Sequence, residues 1–140
     1  MTAGRPECEW AICVDAQTSN LSEVRRFVEQ VAAETALDLE RVFDLKLAVS
    51  EACANAVEHA GDDNPALEVS ARLCPPRLTF VVTDNGLFRP PSLGRAAQNR
   101  GLGLPLMLTL MDEVNFVRLP GGGTEVSLSV LLDTKRARVD

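Results

Sequence analysis

At 140 residues, 46% of them hydrophobic and 24% charged, the chain is long enough to bury one substantial core and too apolar to be disordered. A net charge of −6 argues against nucleic acid as its main partner. No apolar run approaches the roughly 18–20 residues of a membrane span, and the opening MTAGRPECEW lacks a basic segment followed by an apolar one. These features predict a single soluble cytoplasmic domain over residues 1–140, with loose ends at about 1–7 and 133–140.

In chain order, Glu9–Val14 predicts a first strand. Asn20-Leu-Ser-Glu23 has the form of a capping box, and Leu21, Val24, Phe27, Val28, Val31 and Ala32 recur at helical spacing, predicting a helix to about Leu37. Asp38 or Asp44 then opens a second helix running to His59, before the turn-rich GDDNP. Leu67–Leu73 and Leu78–Asp84 predict two strands, joined at Pro75-Pro76, and the alternation Leu67, Val69, Ala71, Leu73 marks a sheet with one buried face. Residues 87–100 predict a loop with three arginines (Arg89, Arg95, Arg100) and no acid, a positive patch in an acidic chain. A helix from about Leu104 to Glu113 follows, with Pro105 tolerated in its first turn. Val114–Leu119 and Thr124–Leu132 predict the last two strands, around the turn Gly121-Gly122-Gly123. Cys8, Cys13, Cys53 and Cys74 have no metal-ligand spacing and read as reduced thiols, with Cys53 in the core.

Four places carry chemistry. Glu51, Asn55 and His59 stand four apart in DLKLAVSEACANAVEH, forming a polar stripe within an apolar helix. Burying unpaired polar groups costs roughly 1–3 kcal/mol each, so a stripe turned inward needs partners, a ligand being one candidate, while one turned to water needs none. Asp84 precedes Asn85-Gly86 at a strand end, where a carboxylate accepts hydrogen bonds from a flat heterocycle with an exocyclic amine; an ordinary Asp-Asn-Gly turn has the same sequence. Gly101-Leu102-Gly103 at a helix start offers unhindered N–H groups and the positive end of the helix dipole to phosphate, or simply connects two elements. It fits neither the Walker pattern nor the dinucleotide fingerprint. Thr124 begins a strand after three glycines and can hydrogen-bond a base, or serve as an ordinary strand residue. On chemistry alone, Asn55 suits Mg²⁺, which keeps phosphate and water oxygens for most of its ligands, and Glu51 one turn away suits a base toward an attacking hydroxyl. His59 receives no catalytic role.

The order of these pieces is more specific than any one of them. LAVSEACANAVEHA (47–60), VVTDNG (81–86), RGLGLPLM (100–107), MDEV (111–114) and GGGTEV (121–126) resemble the ATP-binding domain shared by gyrase, Hsp90, histidine kinases and MutL. Within that group the chain is most similar, over about residues 20–130, to the anti-sigma factor serine/threonine kinases of bacterial partner-switching systems. The resemblance implies an α/β two-layer sandwich of the Bergerat type, with a mixed, mostly antiparallel sheet covered on one face by about three helices. It implies ATP and Mg²⁺, with Asn55 on the metal and Asp84 on the adenine amine. Gly86, Arg100, Gly101, Leu102, Gly103 and Leu104 would line the nucleotide, Thr124 would support the base, and Glu51 would be the catalytic base.

The implied partners are a sigma factor, which the kinase sequesters, and a STAS-type anti-sigma factor antagonist, which it phosphorylates. Arg25 and Arg26 fall where relatives dock partners, and relatives are often dimers. Phe88 departs from the pattern, standing where relatives carry a second glycine. The alternative is a regulatory module that binds ATP and partner proteins without transferring phosphate. A detached histidine-kinase catalytic domain fits less well, because the chain carries no dimerisation hairpin with a phosphoacceptor histidine.

Overall fold

The computed structural model describes residues 8–60, 66–84, 103–120 and 123–132. Its strands are β1 (Cys8–Asp15), β2 (Ala66–Cys74), β3 (Arg77–Asp84), β4 (Glu113–Arg118) and β5 (Thr124–Leu131). Its helices are α1 (Leu21–Ala33), α2 (Leu39–Ala60) and α3 (Gly103–Leu110), with a 3₁₀ turn at Thr18–Asn20. The strands form one sheet in the order β1-β2-β3-β5-β4, and all four pairings are antiparallel. The mixed sheet expected from sequence is thus wholly antiparallel among the described strands. The loop 87–100 and the two expected loose ends lie outside the described residues.

Alternation decides which face each strand buries. Leu67, Val69, Ala71 and Leu73 of β2, Leu78, Phe80 and Val82 of β3, and Val126, Leu128 and Val130 of β5 share one face and form the core with the helices. From α1 come Val24, Phe27, Val28 and Val31; from α2 come Leu45, Ala48, Val49, Ala52, Cys53 and Ala56. Phe27 meets Phe80 edge to face, their ring centroids 6.1 Å apart, which seats α1 on the sheet. The opposite face is mostly polar, and there the Thr79 and Ser129 hydroxyls pair at 2.9 Å. No helix among the described residues is long and apolar enough to cross a membrane.

The boundaries differ from the sequence expectation where side chains compete with the backbone. Asn20 makes no cap hydrogen bond; its Nδ2 donates instead to the Asp15 carbonyl at 2.8 Å, tying the 3₁₀ turn back to β1. Helix α1 stops at Ala33, short of Leu37, and the Thr35 hydroxyl donates to the Ala32 carbonyl at 3.0 Å, occupying an acceptor at the helix end. Asp38, not Asp44, opens α2, its Oδ1 accepting the Arg41 N–H at 2.9 Å. Helix α3 ends at Leu110 because Asp112 already belongs to the sheet edge: its N–H donates to the Ser129 carbonyl (2.9 Å) and its Oδ2 accepts the Leu131 N–H (2.7 Å).

Two ion pairs flank α2. Lys46 pairs with Glu29 of α1, and its hydrogen bond, then its charge, hold the Glu29 carboxyl below the ordinary carboxylate value. A depressed native pKa means that this pairing contributes above the unfolded-state value and fades as the pH falls through the native one. On the other flank, Arg41 reaches α3 and the start of β4. The core predicts that Phe80→Ala, which empties a fully buried ring site, costs about 3–5 kcal/mol in urea unfolding. A loss below about 1 kcal/mol would mean that the site collapses around the smaller side chain.

Candidate nucleotide site

The site is built at the seam between β3 and β5. Asp84, the last residue of β3, lies directly opposite Thr124, the first of β5, with Leu67 on its other side. Both share the helix-side face with the core row Val82–Val126, and both are buried, Asp84 at 8% and Thr124 at 6% exposure. A carboxylate and a hydroxyl at this depth bring polar chemistry to the end of an apolar sheet. The Thr124 Oγ1 finds no hydrogen-bond partner. A buried hydroxyl left unpaired costs roughly 1–3 kcal/mol, so this position fits a ligand that supplies the missing partner. Ser50 Oγ, on a different line of α2, is the other such atom among the described residues. Gly123, just before Thr124, has φ 96°, a left-handed value that glycine adopts without steric cost.

Helix α2 supplies the next part. Arg41, Asp44, Ala48, Glu51 and Asn55 follow one another at steps of three and four, so they run in one line along the helix. Arg41 fixes which way that line faces, because its guanidinium bonds the Leu110 carbonyl at the end of α3 (3.2 Å) and Asp112 (2.8 Å). Glu51 and Asn55, both half-buried, therefore lie on the α3 flank of α2, away from α1.

The same contacts anchor the N-terminal end of the helix. Arg41 is held through Asp112 to Ser129 and Leu131, at the far end of β5. Asn55 is fourteen residues further along α2, about 21 Å at 1.5 Å per residue. Thr124 is five residues back along β5 from Ser129, about 17 Å at 3.4 Å per residue. Packed over β3 and β5 from that anchor, α2 is long enough to reach the level of Asp84 and Thr124. Helix α3 ends beside Arg41 and packs against α2, which places it on the flank that carries Glu51 and Asn55.

Of the residues singled out by sequence, Asp84 and Thr124 are brought together directly, and Glu51 and Asn55 share one flank of α2. Gly103 starts α3 as expected, within one residue of the predicted boundary. Gly86, Arg100, Gly101 and Leu102 lie outside the described residues, as do the side chains of His59 and Leu104. Arg25 and Arg26 are exposed on α1, the helix that joins α2 through Lys46 on the flank opposite Arg41. Sequence reading missed Arg41; extending the Glu51–Asn55 line back by turns of the helix reaches it. Cys53 is core, and burial pushes its thiol up to about 12, so it is not a nucleophile at neutral pH.

The donor set suits a nucleotide. Among the described residues no group of three or more His, Cys, Asp or Glu side chains is arranged to hold a metal ion. A divalent cation on the neutral amide of Asn55 would draw its remaining ligands from phosphate and water, as Mg²⁺ does.

Comparison with known proteins identifies the family. Residues 14–130 match the family model of the histidine kinase-like ATPase domain, and the chain belongs to that family. It is 38% identical over 133 residues to the serine-protein kinase RsbW of Bacillus licheniformis, covering 84% of this chain and 80% of that protein. Against RsbW of Bacillus subtilis the identity is 33% over 142 residues, covering 91% and 88%. The anti-sigma F factor of Caldanaerobacter subterraneus is 29% identical over 131 residues, covering 86% and 92%. Within the ATPase family, then, the chain belongs with the RsbW serine-protein kinases. A solved structure of the RsbU and RsbW domains of a Mycobacterium tuberculosis protein superposes with a TM-score of 0.70 at 25% identity, covering 90% of this chain and 33% of that one.

The unpaired Thr124 hydroxyl gives a prediction independent of catalysis. Thr124→Val removes an unsatisfied buried group, so the nucleotide-free protein is expected to gain about 1 kcal/mol in denaturant unfolding. A destabilised Val variant would show that the hydroxyl is satisfied in solution.

Proposed function

We propose that the chain transfers the γ-phosphoryl group of ATP to a serine or threonine of a STAS-type anti-sigma factor antagonist, and that it also sequesters an RNA polymerase sigma factor. The observation that carries the ATP site is the buried Asp84 facing Thr124, whose hydroxyl has no partner. Asp84 accepts hydrogen bonds from the exocyclic amine of adenine, and Thr124 completes the recognition of the base. Gly86, Gly101 and Gly103 allow close approach of backbone to the nucleotide, with Arg100, Leu102 and Leu104 beside them. The N-terminus of α3 favours the phosphates electrostatically. ATP with Mg²⁺, when bound, supplies the transferable phosphoryl group and neutralises its charge.

Asn55 holds the metal through its amide oxygen. Glu51, one turn earlier on the same flank of α2, orients the substrate hydroxyl and accepts its proton. Partner proteins dock on the exposed face of α1 that carries Arg25 and Arg26, where arginine pairs well with carboxylates. Phosphorylation of the antagonist adds negative charge, ends its hold on the kinase and returns the kinase to sigma.

The test is transfer of labelled phosphate to a purified antagonist alongside nucleotide affinity. Glu51→Gln is expected to reduce transfer by about a hundredfold or more while leaving ATP affinity nearly unchanged. Asn55→Ala is expected to abolish the Mg²⁺-dependent part of binding. Equal transfer by the Gln variant would remove Glu51 from the role of base. Tight ATP binding by the wild-type chain with no transfer would make it a regulatory module, a reading that Phe88 in place of a glycine favours.

A further inference from the structure

Arg41 is a surface-type residue held in an unusual setting. Its side chain is only 20% exposed and serves three acceptors: the Leu110 carbonyl at 3.2 Å, Asp112 Oδ2 at 2.8 Å, and, more loosely, Asp44 Oδ2 at 3.6 Å. Leu110 is the last residue of α3, so the guanidinium caps that helix where its terminal carbonyls lack partners and its dipole is negative. Asp112 is itself fixed, accepting the Leu131 N–H and donating its own N–H to Ser129. One fork therefore bolts the C-terminal end of α3 to both α2 and the end of β5.

Helix α3 is eight residues long, about 12 Å at 1.5 Å per residue, and its other end is Gly103. A short helix moves as a rod, so a shift at Leu110 is carried to Gly103. We propose that Arg41, through Asp112, is a positioning residue for the nucleotide site: it sets where the glycine-bearing start of α3 stands relative to Glu51 and Asn55. This inference rests on the ATP reading above.

The test uses the full chain, a fluorescent ATP analogue with Mg²⁺, and thermal melting in parallel. Arg41→Met keeps most of the apolar stem, removes the fork, and is expected to weaken nucleotide binding and raise the KM for ATP on the order of tenfold, with a smaller effect on kcat. Asp112→Asn, which keeps an acceptor for Leu131, should weaken binding similarly. The double variant should be little worse than either single one, since both changes break the same link. Arg41→Lys, able to reach fewer acceptors at once, should be intermediate, and it carries the test if the Met variant does not fold. Lys46→Met breaks the ion pair on the opposite flank of α2 and should leave nucleotide affinity within about twofold.

A lowered melting temperature with unchanged nucleotide affinity in Arg41→Met overturns the proposal. So does an equal loss in Lys46→Met, or losses that simply add. Failure of the wild-type chain to bind the nucleotide overturns the ATP reading itself, and the inference with it.

Discussion

The structure depends on how closely α2 can lie on the sheet. Its buried face carries Ala48, Ala52, Cys53 and Ala56 among Leu45 and Val49, and small side chains let a helix backbone approach the strands beneath. A helix with large residues there would stand further off, and its flanks would be more open to water. Glu51 and Asn55, on the flank of the same helix, are half-buried. The packing that stabilises the core thus also sets the depth of the polar groups. Core and site are two sides of one helix.

Local features were the most legible in the sequence. The alternation of β2, the helical spacing of α1 and the polar stripe of α2 each report on neighbours within a few residues, where periodicity and orientation are tightly linked. The order of motifs then gave the family, which the comparisons bear out. What stayed hidden were contacts between distant positions. Arg41 and Asp112 are 71 residues apart, and no local pattern pairs them. Asn20 shows the same limit at short range: its sequence context fits a cap, yet the Asp15 carbonyl five residues back takes its side-chain donor. The meeting of Asp84 and Thr124 follows from strand order, which crosses from β3 to β5 and could not be read from either strand alone.

The two flanks of α2 divide the labour of the molecule. On one, Lys46 joins α1, whose outer surface carries Arg25 and Arg26; on the other, Arg41 joins the end of α3 and Asp112. Both pairs are partly exposed, and such pairs contribute little, typically under about 1 kcal/mol; Arg41 differs in that its guanidinium also bonds the Leu110 carbonyl. The α3 flank is thus tied through a side chain and a backbone carbonyl, and the α1 flank through side chains alone.

The antiparallel seam between β3 and β5 has one more consequence. The chain leaves the sheet at Asp84 and returns beside it at Thr124, so everything between, including α3 and β4, is an excursion with adjacent ends. Closing such an excursion depends only logarithmically on its length, and doubling a flexible segment adds only ~0.6 kcal/mol. A change in the length of the intervening chain therefore bears on the pairing of Asp84 with Thr124 far less than a change in the strands themselves.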